Sequence, residues 1–343
     1  MKNHLSKEQI ADWFRGLQDR ICADLEALDG TGKFQEDAWQ REAGGGGRSR
    51  VIEGAVIEKG GVNFSAVHGP LPEKIAQALK QPAGAAFFAT GVSIVLHPRS
   101  PMVPIIHMNV RYFEVSDLPL TPKGEPTNDN ESEPSKLGEL SSELPNSGSP
   151  LGDRGETQVY WFGGGIDLTP IYVVEEDARF FHGEMRRVCE AHHPGFHPEF
   201  KRWADDYFYL KHRHETRGIG GIFFDQLNEK RGLSKEQLFR FVQDVGNAFA
   251  PTYSHIVLKN RDLGFGEKEL AWQGVRRGRY VEFNLLWDKG TKFGLDTDGR
   301  TESILMSMPP MAKWHYNLKP EASSREAETL AWLRKGVEWK GNC

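Results

Sequence analysis

A run of three glycines inside a strand-like stretch is the feature that most constrains how this chain folds. Residues 161–170 read Trp-Phe-Gly-Gly-Gly-Ile-Asp-Leu-Thr-Pro. Glycine packs nothing and loses much backbone entropy on ordering, so a glycine run kept within a strand indicates that another group approaches the backbone closely. The following carboxylate, Asp167, has apolar neighbours and needs a cationic or N–H partner to stay ionised. Two interpretations stay open: a platform for a flat ligand with N–H groups, or a glycine-rich loop that turns the chain.

The stretch 104–114 alternates in the way that a strand with two different faces does. One side carries Ile106, Met108, Val110 and Tyr112. The other side carries His107, Asn109, Arg111 and Phe113. A solvated strand face would hold more Lys, Glu and Thr than this. The combination of an imidazole, an amide and a guanidinium therefore favours a binding or catalytic site.

The composition indicates a globular protein without a membrane span. The chain has 343 residues, of which 38% are hydrophobic and 27% charged, and its length allows a sizeable core. No stretch approaches the roughly 20 apolar residues that a membrane span needs, and the N-terminus has no apolar signal core. The three cysteines, Cys22, Cys189 and Cys343, are far apart, which indicates a reducing compartment. The length suggests one large domain or two ordinary ones, and we expect a cytoplasmic location.

The segment 117–157 differs in composition from the rest of the chain. It holds nine acidic residues, three basic residues, six prolines and no aromatic residue. Such a segment cannot bury enough apolar area to offset the entropy of ordering it. We expect a disordered acidic insertion, and we favour a tolerated surface loop over a regulatory or partner-binding segment.

The remaining patterns predict both helices and strands. The predicted helices are 6–28, 175–192, 198–212, 234–249 and 323–339. The predicted strands are 51–57, 84–97 (one strand or two), 104–114, 159–162 leading into the glycine run, 217–225, 279–287 and 301–308. Short turns between several strands and helices between others indicate an α/β (α+β) fold, in which helices cover both faces of a mostly antiparallel sheet.

Basic residues gather near the predicted glycine-bearing strands. The arginines concerned are Arg213, Arg217, Arg276, Arg277, Arg279 and Arg300. Arginine binds carboxylates with two parallel hydrogen bonds. The chain has a net charge of −5, and these arginines alternate with glycines and acids, so the pattern favours a small polycarboxylate ligand over nucleic acid.

Seven motifs, taken together, are specific to one family. They are Gly91-Val-Ser-Ile-Val-Leu-His-Pro-Arg99, Ile106-His-Met-Asn-Val-Arg-Tyr-Phe-Glu114, Trp161-Phe-Gly-Gly-Gly-Ile-Asp-Leu-Thr-Pro170, Trp203-Ala-Asp-Asp-Tyr-Phe-Tyr-Leu-Lys-His212, Arg217-Gly-Ile-Gly-Gly-Ile-Phe-Phe-Asp225, Arg277-Gly-Arg-Tyr-Val-Glu-Phe-Asn-Leu-Leu286 and Glu302-Ser-Ile-Leu-Met-Ser-Met-Pro309. They occur in one consistent order. From about Phe34 onward the chain resembles the oxygen-dependent coproporphyrinogen III oxidases of haem biosynthesis.

This resemblance implies a fold, a reaction and a partner. The implied subunit is a single domain over 1–343, with a large flat antiparallel sheet between helical layers. Two subunits form a homodimer through about residues 280–315. The implied reaction is the oxidative decarboxylation of two propionates of coproporphyrinogen III to vinyl groups. O2 is the oxidant, CO2 and H2O2 are released, and neither flavin nor haem takes part.

The resemblance also implies roles for individual residues. His107 stands at the position of the proposed proton donor, and Asp167 at that of the carboxylate that meets the pyrrole N–H groups. The positions implied for substrate binding are Ser93, Asn109, Val110, Arg111, Asp298, Gly299 and Arg300. The positions implied for a divalent metal are His97, His107, His182 and His212, although the spacing of these histidines does not by itself make a metal site.

The chain departs from the family pattern at two places. The insertion 117–157 replaces a connection that is usually short. Lys289 stands where arginine is common, so a single ammonium donor replaces the forked guanidinium and one carboxylate contact is expected to weaken.

Two other functions stay open. A tetrapyrrole carrier would share the platform and the arginines but release no CO2. A non-haem iron oxygenase would need two histidines and a carboxylate at one site.

Overall fold

The computed structural model describes residues 5–82, 84–116, 159–296 and 299–339. The predicted insertion 117–157 and Asp298 therefore lie outside the described residues. No helix in those ranges is long and apolar enough to cross a membrane.

Seven strands form one antiparallel sheet, and two short strands form a separate hairpin. The strands are β1 (Gln35–Gln40), β2 (Gly45–Ile52), β3 (Ile57–Pro70), β4 (Ala86–Pro98), β5 (Ile105–Ser116), β6 (Val159–Thr169), β7 (Tyr209–Leu210), β8 (Glu215–Thr216) and β9 (Gly221–Leu227). The order in the large sheet is β1-β2-β3-β4-β5-β6-β9, and β7 pairs with β8. Every pairing in the large sheet is antiparallel, which confirms the predicted fold class.

Helices of very different lengths surround the sheet. They are α1 (Lys7–Asp29), α2 (Glu73–Leu79), α3 (Glu175–Glu190), α4 (Phe196–Tyr207), α5 (Lys235–Asn260), α6 (Glu267–Leu286), α7 (Lys289–Asp296), α8 (Thr301–Leu305) and α9 (Arg325–Trp332). The first begins where the sequence predicts, because Ser6 and Gln9 form a capping box that satisfies two free N–H groups of the first turn. It ends at Gly30, whose φ of 83° suits glycine.

The two faces of the sheet differ in what covers them. The face that carries Ile94, Met108 and Val110, which we call the core face, packs against apolar side chains of α1, α3 and α5. The opposite face, which we call the open face, is covered in part by α6, whose Trp272 and Tyr280 belong to a cluster with buried residues of β4 and β5. Between α6 and α2 the side chains of the open face are half-buried, so this part of the sheet can meet a ligand.

Two predicted strands are helical in the structure. The stretch 279–287 belongs almost entirely to α6, because Trp272, Arg276, Tyr280 and Phe283 recur at helical spacing and all four are buried. The short alternation around Tyr280 is therefore misleading. The stretch 301–308 begins with α8 and continues as turn; it is attached to the sheet through Ser303, whose Oγ lies 2.8 Å from Oγ of Ser49.

Several predicted boundaries also shift. The helix predicted over 198–212 ends at Tyr207, and His212 follows in a turn. The strand predicted over 51–57 is the junction of β2 and β3. The stretch 84–97 contains one strand, not two. The last helix ends at Trp332, well before residue 339, and the chain then turns through Gly336 at φ 74°.

Candidate active site

The sheet register brings the polar residues of three strands together on the open face. His107 of β5 lies opposite Asp167 of β6, and Arg111 lies opposite Gly163. On the other side of β5, Asn109 lies opposite Ser93 of β4. Because side chains alternate between faces, these residues all project from the same side. The predicted polar face of β5 is confirmed.

The glycine run lies within β6, so the interpretation as a turning loop is wrong. A Cβ at Gly163 would lie 2.5 Å from Oδ1 of Asp225, and a Cβ at Gly164 would lie 2.8 Å from the Phe224 ring. The first of these contacts is on the open face and the second on the core face. The run therefore lets neighbouring side chains approach the backbone on both faces of the sheet.

Asp167 and His107 form a hydrogen-bonded pair at the edge of α6. Nδ1 of His107 lies 2.8 Å from Oδ1 of Asp167. The Asp167 side chain is 1% exposed and that of His107 is 21% exposed. An ionised carboxylate only accepts hydrogen bonds, so Nδ1 of His107 is the donor to Asp167, and in the neutral form of the ring the lone pair is then on Nε2. This arrangement fixes the tautomer and the orientation of the imidazole.

Arg217 is the cationic partner that Asp167 requires. Its Nη2 donates to both oxygens of Asp167 at 2.7 Å, and the Arg217 side chain is 2% exposed. Burial alone would raise the pKa of Asp167, but the Arg217 guanidinium and the hydrogen bond from His107 hold that pKa below its ordinary value. Asp167 is therefore a buried, fully ionised carboxylate.

The guanidinium of Arg217 is itself fixed by α6 and its neighbours. Nη1 donates to Oδ1 of Asn284 at 2.8 Å. The rings of Phe208, Tyr280 and Phe283 lie 4.4, 4.7 and 4.6 Å from the guanidinium carbon. Aromatic faces attract cations, most strongly where water is excluded. The charge of Arg217 is thus held at one place behind Asp167.

The glycines that follow Arg217 bring it close to β6. A Cβ at Gly218 would lie 2.2 Å from the carbonyl oxygen of Leu168, and one at Gly221 would lie 2.0 Å from that of Ile166. Gly220 has φ of 74°, a left-handed conformation that side chains rarely adopt. The Arg-Gly-Ile-Gly-Gly sequence is therefore explained by the tight approach that places Arg217 beside Asp167.

Arg111 reaches across β6 on the open face. Its Nη1 donates to Oδ1 of Asn109 at 2.8 Å, and its Nη2 lies 2.9 Å from Oδ1 of Asp225 on β9. The Arg111 side chain is 36% exposed. Unlike Arg217, this guanidinium is open to a ligand.

The six arginines predicted to bind a polycarboxylate are already paired within the chain. Arg217 pairs with Asp167, Arg276 with Glu215, Arg277 with Glu58, Arg213 and Arg279 with Glu282, and Arg300 with Asp37. The sequence shows the cationic character of the region correctly. It does not show that these six guanidiniums are paired with carboxylates of the same chain, nor that Arg111 is the arginine that faces the open site.

The other residues predicted to bind substrate lie at different places. The side chain of Val110 is fully buried on the core face, opposite the polar face of β5. Gly299 follows α7, its N–H donating to the carbonyl of Gly294 at 2.8 Å, and Arg300 reaches Asp37 on β1. The structure therefore places Gly299 and Arg300 on the β1 side of the open face, and Asp298 lies outside the described residues.

The four histidines predicted to bind a metal do not meet. Nε2 of His97 lies 2.8 Å from the carbonyl oxygen of Ser307, and Nε2 of His182 lies 2.9 Å from that of Ile219. Burial lowers the pKa of each of these two imidazoles to about 3, so both stay neutral. His212 uses both ring nitrogens, one with Glu282 and one with the Trp287 indole.

Within the described ranges, no group of three or more His, Cys, Asp or Glu side chains is arranged to hold a metal ion. The predicted set combines β4, β5, α3 and the turn that follows β7. Its donors do not fit a common metal centre, and we derive no step through one.

Three contributors to the site were missed at the sequence level. The arginine cluster predicts ligand binding for Arg217, whereas it holds Asp167; the signal that points to it is the need of Asp167 for a cationic partner. Asn284 lies in α6, where the sequence predicts a strand. Asp225 ends the motif that begins at Arg217, but only the sheet register brings it to Arg111.

An imidazole oriented by a buried carboxylate is typical of enzymes that move protons, and comparison with known proteins specifies the kind. Residues 9–339 match the family model described as Coproporphyrinogen III oxidase. The oxygen-dependent coproporphyrinogen-III oxidase of Synechococcus sp. (strain CC9605) is 45% identical over an alignment of 361 positions, which spans 98% of this chain and 88% of the relative. A chloroplastic oxygen-dependent coproporphyrinogen-III oxidase of Glycine max is 45% identical over 332 residues, 95% of this chain and 77% of the relative. The chain belongs to the coproporphyrinogen III oxidase family.

Proposed function

We propose that this protein is an oxygen-dependent coproporphyrinogen III oxidase of haem biosynthesis. It converts two propionates of coproporphyrinogen III to vinyl groups and so yields protoporphyrinogen IX. Each conversion releases one carboxyl group as CO2 and removes two electrons and two protons, which reduce one O2 to H2O2. The observation that carries the proposal is the Asp167–His107 pair on the open sheet face, in a chain that matches the family over nearly its whole length.

The glycines and the polar side chains of the open face would together hold the macrocycle. Gly91, Gly163 and Gly165 lie on β4 and β6, on either side of β5. Because they carry no side chains, Arg111, Asp225 and Phe223 lie close against the backbone, so that a flat ring system can lie over them. The Arg111 guanidinium can bind a propionate with two parallel hydrogen bonds, and the half-buried Ser93 and Asn109 supply further polar groups beside it.

In this proposal His107 exchanges protons with the substrate and Asp167 acts through it. Both oxygens of Asp167 already accept hydrogen bonds from Arg217, so the group left to meet a pyrrole N–H is Nε2 of His107. Loss of that proton makes the ring electron-rich and open to attack by O2. The ring-bound peroxide takes a proton from the propionate β-carbon and leaves the ring, to be released as H2O2. The electron pair of the departing CO2 then completes the vinyl group, and the pyrrole nitrogen takes back a proton. Positively charged His107 and Arg111 would stabilise the developing negative charge.

The test is an aerobic and an anaerobic assay with reduced coproporphyrinogen III on EDTA-treated protein. Tricarboxylic and dicarboxylic porphyrins are separated by chromatography after oxidation. We expect both products in air and neither without O2. Binding without decarboxylation, unchanged by added metals, would overturn the proposal in favour of a tetrapyrrole carrier. Activity that EDTA abolishes and iron restores would instead favour a non-haem iron oxygenase.

Gly163→Ala is expected to weaken substrate binding strongly and to lower the free energy of unfolding only a little. The added Cβ would lie 2.5 Å from Oδ1 of Asp225 and 2.8 Å from Nε of Arg111. Both contacts are with side-chain ends that can shift, so the fold survives while Arg111 is displaced. We expect KM to rise about tenfold, equivalent to about 1.4 kcal/mol.

Gly218→Ala serves as the contrasting variant, because its Cβ would lie 2.2 Å from the backbone oxygen of Leu168. Here the fixed backbone must move, and we expect a loss of about 1–3 kcal/mol in unfolding free energy. Steady-state kinetics and urea unfolding of both variants separate the two effects. Equal KM values for Gly163→Ala and the wild type would contradict the proposed position of the propionate.

A homodimer through about residues 280–315 is part of the proposal. Large apolar side chains in this region are exposed, among them Leu286 at 48%, Met311 at 59% and Trp314 at 53%. Exposed apolar side chains of this size support an association surface in this region. We expect a mass near twice 38.7 kDa by light scattering, and a shift toward the single-chain mass in Leu286→Glu.

Leu258→Glu is the matched control for that variant, since Leu258 is 55% exposed but lies on α5, outside the proposed interface. Its mass should equal that of the wild type.

A cytoplasmic location is also proposed and is supported by the buried free thiols of Cys22 and Cys189; cell fractionation tests it.

A further inference from the structure

Arg111 has an anionic partner on this chain that the proposed reaction does not use. The carboxylate of Asp225, on the edge strand β9, lies 2.9 Å from Nη2 of Arg111. Because a Cβ at Gly163 would touch both groups, the ion pair crosses β6 directly above that glycine. Asp225 therefore lies where a carboxylate of a bound ligand would meet Arg111.

This ion pair is built very differently from the pair behind His107. The Arg111 and Asp225 side chains are 36% and 32% exposed, whereas Arg217 and Asp167 are 2% and 1% exposed. Oδ1 of Asp225 accepts no hydrogen bond from any described residue, although Nη2 is near, so the two groups are poorly aligned. Both side chains are about one-third exposed, but Oδ1 itself is shielded from solvent and has no aligned donor, so the pair contributes little to stability. A ligand carboxylate can therefore replace Asp225 at low cost.

We propose that Asp225 is an exchange carboxylate for Arg111. It pairs with Arg111 in the empty site, gives way to a propionate, and pairs again once that propionate has lost CO2. This inference rests on the proposed function. The proposed reaction converts the propionate bound by Arg111 to a vinyl group and so removes the anionic partner of Arg111. An unpaired guanidinium beside a new vinyl group would be unfavourable, and the return of Asp225 removes that penalty. The exchange itself makes and breaks no covalent bond.

The experiment measures binding, separately from turnover. Coproporphyrin III, the oxidised tetracarboxylic porphyrin, is titrated into wild-type protein and the Asp225→Asn variant, and the quenching of protein fluorescence is followed. Asn keeps the shape of the side chain but no longer competes as an anion. We expect the Kd to fall about two- to fivefold. The tetramethyl ester of the same porphyrin has no carboxylate, and its Kd should stay the same.

Glu199→Gln is the matched control. The Arg231–Glu199 pair has side-chain exposures of 37% and 41%, close to those of Arg111 and Asp225, and the substitution changes the net charge by the same amount. Its Kd for coproporphyrin III should equal that of the wild type. Weaker binding by Asp225→Asn would show that Asp225 positions Arg111, and unchanged binding would show that it does not compete; either overturns the proposal. Absence of turnover by the wild type would instead count against the proposed function.

Discussion

Asp167→Asn should lower kcat by about 10²- to 10⁴-fold, the range expected when an acid–base group loses its orienting carboxylate. The carboxylate accepts a hydrogen bond from Nδ1–H of His107 at 2.8 Å, whereas a carboxamide can present an N–H there and favour the other tautomer. Nε2 would then carry the proton and could not accept one from the substrate. Because Asp167 does not itself meet the ligand in this proposal, KM should change far less than kcat.

Asp177→Asn is the control for that variant. Asp177 is also buried and paired, with Lys259 at 2.7 Å and Asn260 at 2.6 Å, but it lies on α3, away from the open face. The Asp177→Asn variant should have a lower free energy of unfolding but the kcat of the wild type when measured below its melting temperature. If Asp167→Asn turned over within threefold of the wild type, the proton-transfer role of the pair would be wrong.

The sequence predicts those parts of the fold and site that depend on a local period. The alternation of His107, Asn109 and Arg111 with buried neighbours requires only the two-residue period of a strand, and the structure confirms it. The sequence predicts a strand instead of the helix over Arg279, because a few residues around Tyr280 alternate. Its helical period becomes visible only when the pattern is followed back to Trp272.

The partners of the site residues could not be predicted in the same way. Asp167 and Arg217 are 50 residues apart, and their contact depends on the backbone approach at Gly218 and Gly221. A local pattern shows that a buried carboxylate needs a cation, but not which of several arginines supplies it. The histidines assigned to a metal on resemblance illustrate the same limit, since elements far apart in the sequence decide whether such side chains meet.

Arg217→Met should cost about 3–5 kcal/mol of unfolding free energy at neutral pH. The substitution keeps much of the side-chain volume between the three aromatic rings but leaves the carboxylate of Asp167 buried without its cation, and breaking a buried pair costs about this much. Arg213→Met removes a more exposed guanidinium, 38% accessible, and should cost less than about 1 kcal/mol. Urea unfolding with comparable m-values measures both.

The pH dependence of that loss identifies its cause. In the wild type the pKa of Asp167 lies below its ordinary value, so its contribution to stability is present above the unfolded pKa of about 3.9 and is lost as the pH falls through the folded pKa. Without Arg217, burial raises the folded pKa, so the variant loses stability as the pH rises above about 3.9. The difference between wild type and variant should therefore be larger at pH 7 than at pH 4.5.

Adding Asp167→Asn to Arg217→Met should recover part of the lost stability, because no charge is then left buried without a partner. The double variant should also lose the pH dependence that Asp167 causes. A loss that is the same at both pH values and that the second substitution does not reduce would mean that Arg217 stabilises the protein through its packing against Phe208, Tyr280 and Phe283. The charge of Arg217 would then not be what keeps Asp167 ionised behind His107.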